Sequence, residues 1–147
     1  MKNVIYSLSA ILVLFIFDSC KKEDSPKPQN LISGKWQWQQ SVGGFSGSAV
    51  LTPATEGYTR QFNFGKDSVT ITLNDTSFED RAAFHLTNEK SILYHTTHDF
   101  LTIDYHFTIG GDSVVVLPMR YIIKDLKPEK MVLTEDVFDG FEITLAK

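Results

Sequence analysis

From about residue 31 onward, apolar and polar residues alternate almost one for one. Leu101, Ile103, Tyr105, Phe107 and Ile109 are apolar, whereas Thr102, Asp104, His106 and Thr108 between them are not. Val69, Ile71 and Leu73 alternate with Ser68, Thr70 and Thr72. Phe78, Ala82, Phe84 and Leu86 alternate with Glu79, Arg81 and His85, and Phe141, Ile143 and Leu145 with Glu142 and Thr144. A period of two predicts strands with one wet and one buried face, and no segment after residue 30 carries a helical stripe. Turn chemistry punctuates the run at Gly65-Lys66-Asp67, Asn74-Asp75, Thr87-Asn88-Glu89, Gly110-Gly111-Asp112, Lys127-Pro128 and Asp139-Gly140. The pattern predicts an all-β fold, an antiparallel up-and-down meander of about eight to ten strands. Such a meander must close into a barrel or fold into a sandwich to hide its edges.

The opening of the chain follows another pattern. Lys2 precedes an almost wholly apolar run from Val4 to Phe17, interrupted only by Ser7 and Ser9. A short basic start and an apolar core of this size predict a secretory signal peptide, since a membrane span needs ~20 apolar residues. The only cysteine, Cys20, stands directly after this run. A lone thiol cannot form an internal disulfide. Phe17-Asp18-Ser19-Cys20 resembles the lipobox of bacterial lipoproteins, although Phe17 replaces the usual leucine and Asp18 is atypical. The resemblance implies cleavage before Cys20, its lipidation, and anchorage in the outer membrane on the periplasmic or cell-surface face. Two or more acyl chains at about 0.8 kcal/mol per buried CH₂ make such an anchor stable. Lys21-Lys22-Glu23-Asp24 then resembles the surface-export signal of Bacteroidetes lipoproteins, or is simply a solvated linker. Pro26 and Pro28 among polar residues predict an extended tether. The expected organisation is signal peptide 1–19, lipidated cysteine and tether 20–30, and one domain over 31–147.

A net charge of −4 gives nucleic acid no electrostatic footprint, so none is expected as a partner. Eleven Phe, five Tyr and two Trp supply enough bulk to pack an interior and leave aromatic faces for stacking. Alternation places Trp36 and Trp38 on the buried face with Gln40, Tyr58, Phe62 and Phe64 with Arg60, and Phe78 and Phe84 with Asp80. An arginine and a carboxylate facing an aromatic interior are costly unless paired or liganded. They are expected either to bridge one another or to mark the polar end of a ligand pocket.

The first strand, Ser33-Gly34-Lys35-Trp36-Gln37-Trp38, resembles the glycine-x-tryptophan signature of lipocalins. The runs GKWQWQQSVGGFSG, TPATEGYTRQFNF and LTEDVFDGFEITLAK extend the resemblance to lipocalin-like lipoproteins of Bacteroidetes over most of the chain from Leu31. It implies a closed barrel with Trp36 as the plug at its base and a large first inter-strand loop, here Ser41 to Gly57, over the mouth. Lipocalins also carry a late arginine packed across the tryptophan; the residues here are Leu145, Ala146 and Lys147. The expected ligand is a small apolar or amphipathic molecule, with Trp38, Tyr58, Arg60, Phe62, Asp80, Phe84 and Tyr105 as candidate contacts. The rival expectation is an interaction module of an envelope complex whose interior is filled by its own side chains; its protein partners are not indicated.

No nucleophile setting such as G-x-S-x-G occurs, so no catalytic residue is assigned and no enzyme is expected. His95-Thr96-Thr97-His98-Asp99 could share a metal only across a turn, because residues three apart on a strand face opposite ways. No metal or other cofactor is expected.

Overall fold

The alternation resolves into nine antiparallel strands: β1 (Gly34–Gly43), β2 (Ala49–Leu51), β3 (Arg60–Phe64), β4 (Ser68–Leu73), β5 (Thr76–Lys90), β6 (Thr97–Ile109), β7 (Ser113–Lys127), β8 (Lys130–Glu135) and β9 (Phe141–Ala146). The computed structural model describes residues 28–109 and 113–147, the side chains of 77–80 and 109 excepted. Cys20, the lysine–acidic cluster and Gly110-Gly111-Asp112 lie outside the described residues.

Each strand pairs with the next from β3 to β9, and β9 returns to β1 through Gln37 to Gly43, closing an eight-stranded barrel. The ninth strand, β2, pairs only with the distal end of β1, Val42 opposite Val50. Closure removes the sheet edges that an open meander of this length would expose.

The interior is built from the predicted alternation. Trp36, Trp38, Phe62, Phe64, Val69, Ile71, Phe84, Leu101, Ile103, Leu133 and Leu145 form one buried cluster. Every buried member lies between Ile32 and Leu145, so a form beginning at Lys21 retains the whole core. Trp36 is 0% exposed and its Nε1 donates to the Ile32 carbonyl at 2.6 Å. That carbonyl ends a short helix, α1 (Pro28–Ile32), which brings buried Ile32 against the base. Lys147 covers the same tryptophan, its Nζ 4.5 Å from the ring centroid and donating to the Leu31 carbonyl at 3.0 Å. Lys147, and not an arginine, therefore covers Trp36.

Several expectations need correction. Pro28, Gln29 and Asn30, assigned to the tether, form the first turn of α1. The long connection after β1 contains β2 and a capped helical turn, α2 (Pro53–Glu56), with Thr52 and Thr55 forming a reciprocal capping box. Thr87, Asn88 and Glu89 continue β5, and the chain turns instead at 91–96. Gln40 faces outward and Ser41 inward, because the β1–β9 register shifts between Trp38 and Gln40. The β4–β5 register likewise shifts, Val69 pairing Ala82 but Ile71 pairing Glu79, with Arg81 at φ 59°. Such a bulge breaks the alternation that grouped Asp80 with Phe84; the Asp80 side chain lies outside the described residues.

Candidate functional site at the barrel mouth

One end of the interior is not filled. A cavity of about 190 Å³ opens there, lined by Trp38, Ser41, Leu51, Tyr58, Arg60, Glu135, Phe141 and Ile143. The local geometry follows from the strands. Trp38 is the last inward residue of β1 before the bulge, which lets Ser41 turn inward and accept a hydrogen bond from Trp38 Nε1 at 2.9 Å. Leu51 arrives on β2, and Tyr58 on the segment between α2 and β3. The Trp38 and Tyr58 rings stack, with centroids 5.6 Å apart and planes 19° apart.

Arg60 opens β3 on the inward face, opposite Leu73. Its guanidinium carbon lies 5.8 Å from the Trp38 ring and 5.7 Å from Tyr58. Nη2 makes one long bond, 3.4 Å to the Tyr58 hydroxyl. No carboxylate lies within ion-pair distance of Arg60 among the described residues. A partly buried cation held over two aromatic faces retains hydrogen-bonding capacity that the described residues do not use.

Glu135 closes the ring of polar groups. Its Oε2 accepts from the Phe141 amide at 2.9 Å across the β8–β9 turn. Behind it, Tyr121 is buried, with its hydroxyl 3.5 Å from that of Tyr105. Burial, reinforced by Tyr105 and the Glu135 carboxylate and opposed by Arg60, holds the Tyr121 phenol well above its ordinary range. Tyr121 is therefore neutral at neutral pH. The mouth offers one cation, one carboxylate and stacked aromatic faces, and it suits an amphipathic molecule with one polar end.

The candidate contacts divide. Trp38, Tyr58 and Arg60 come together around the cavity. Phe62 and Phe84 are buried below it as core, each 5% exposed. Tyr105 reaches the region through Tyr121 and stacks on Phe107. Sequence reasoning missed Ser41, Leu51, Glu135, Phe141 and Ile143. Glu135 was the most legible of these, since Met131, Leu133 and Glu135 alternate on one face.

His98 shares a hydrogen bond with Thr96 Oγ1 at 2.8 Å and meets the Tyr94 ring edge-on. Among the described residues no group of three or more metal-ligating side chains comes together.

Compared with protein-family models, curated proteins and solved structures, the chain matches none of them. The site must be read from its own geometry.

Proposed function

We propose that this chain is a lipid-anchored envelope lipoprotein whose lipocalin-like barrel holds a small amphipathic ligand at its mouth, without catalysis. The observation that carries the reading is Arg60, partly buried between Trp38 and Tyr58 and lacking an ion-pair partner among the described residues. An acidic group on a ligand supplies that partner, and Trp38, Leu51, Phe141 and Ile143 take its apolar body. At about 190 Å³ the cavity is below the roughly 300 Å³ typical of full ligand pockets, so it encloses a polar end and a few carbons only. Lipidated Cys20 anchors the protein by this account. The eight residues to Pro28 reach at most about 28 Å at ~3.5 Å each, and they join the barrel at its Trp36 end.

Native mass spectrometry of the form beginning at Lys21, purified from its own host, tests the reading. A retained small acidic molecule, lost on Arg60→Leu, supports it. Protein carrying nothing, and binding no amphiphile when titrated, removes it. A second reading, an interaction module with a filled interior, is favoured by the exposed apolar run Val114, Val115, Val116 and Leu117 on β7. That second outcome would leave it standing.

A further inference from the structure

The larger cavity is on the outer wall of the barrel. It is an open groove of about 550 Å³, within the range of small-molecule sites. Three loops form its walls: 43–47 after β1, 136–140 after β8, and 91–96 after β5. The walls are fixed by close contacts. The Gly44 amide donates to the Gly140 carbonyl at 3.3 Å, and a Cβ on Gly43, whose φ is +146°, would lie 2.4 Å from that same oxygen. The third wall hangs on Asp136, whose carboxylate accepts from Ser91 Oγ at 2.5 Å and from the amides of Ile92 at 3.1 Å and Leu93 at 3.3 Å.

We infer that this groove is a saccharide-binding site, taking a neutral sugar of one or two rings. Its chemistry selects against the other classes. Asp139, Glu142 and Glu135 line it against a single cation, Lys124, so an anion is repelled. Lys124 already lies 4.6 Å above the Tyr94 ring and occupies the place an organic cation would seek. A pure hydrocarbon would strip water from the carboxylates. A sugar meets all of these conditions. Its hydroxyls donate to Asp139 and Glu142, and its apolar C–H face lies on an aromatic ring. Phe45 on one wall presents that ring, 94% exposed; Tyr94 on another wall is 45% exposed, with Lys124 over one face and His98 edge-on. The groove shares Glu135 with the barrel mouth but not Arg60, so the inference does not depend on the ligand there.

The test is a glycan array of neutral mono- and oligosaccharides, probed with the full chain labelled and purified in mild detergent, with acidic glycans and polyamines as comparison spots. Binding to neutral glycans is expected, reduced at least tenfold by Tyr94→Ala, Phe45→Ala or Asp139→Asn and unchanged by Arg60→Leu. These positions are exposed, so each variant should melt at the wild-type temperature. Binding that the three groove variants leave intact overturns the inference, as does binding to acidic glycans or polyamines in preference to neutral ones. So does the absence of any glycan binding at millimolar concentration.

Discussion

Replacing Asp136 by Asn tests whether one carboxylate holds the β5–β6 connection on the barrel wall. Asp136 is 3% exposed, and besides its three hydrogen-bond donors it faces Arg120 Nη2 at 3.7 Å. Arg120 in turn lies 4.5 Å over the ring of Phe100, an outward residue that is nevertheless fully buried. Asparagine can keep the bonds from Ser91 and Leu93 on its carbonyl oxygen. Its amide then points a donor at the Ile92 amide and at Arg120. A hydrogen bond to a charged group contributes about 1.5–3 kcal/mol, and leaving the buried donors unmatched adds to that. The expected loss is about 3 kcal/mol, seen as a fall in urea midpoint at constant slope and a drop of roughly 10 °C in Tm. Burial alone would raise the Asp136 pKa, but the bonds from Ser91, Ile92 and Leu93 together with Arg120 outweigh it and hold the carboxyl below its ordinary value. Its stabilisation is therefore complete above the unfolded pKa of about 3.9 and is lost as pH falls through the folded value. The gap between wild type and Asp136→Asn should narrow in acid. A loss below about 0.5 kcal/mol at neutral pH, or a gap that widens in acid, would refute the reasoning.

Lys147→Ala should cost about 1 kcal/mol, the scale of an exposed cation–π contact plus its bond to Leu31, and should shift Trp36 emission. Lys147→Arg should retain most of that stability in the same urea titration; an arginine variant as weak as alanine would show that Lys147 only covers the ring. Cys20→Ala should abolish labelling by a clickable palmitate analogue in cells, and label kept on the mutant would rule out the anchor.

The barrel was legible because its strands bury one face each, so hydrophobicity carries the period-two signal directly. Legibility failed where the backbone departs from that period. Bulges at Gln39 and before Ala82 reverse which face a side chain takes, and neither interrupts the apolar count. The polar trio Thr87-Asn88-Glu89 imitates a turn, yet it continues a strand exposed at that end, while the turn itself is written as Ser91 to Thr96 and held by the distant Asp136. At the mouth, Trp38, Tyr58 and Arg60 could be read from alternation. Leu51 could not, because β2 is only three residues long within a glycine- and serine-rich connection. The outer groove is assembled from three loops far apart in sequence, and no local pattern announces it.

Arg60 is the proposed anchor of an acidic ligand group. The direct measurement is a titration of octanoate and methyl octanoate into the Lys21-onward form and its Arg60→Leu variant, followed by the emission of Trp38 against Tyr58. A charge-assisted bond of about 1.5–3 kcal/mol predicts that the variant binds octanoate roughly tenfold to a hundredfold more weakly, at 1.4 kcal/mol per decade, and the ester as before. Wild-type protein that binds neither compound, or a variant that weakens acid and ester alike, would contradict it.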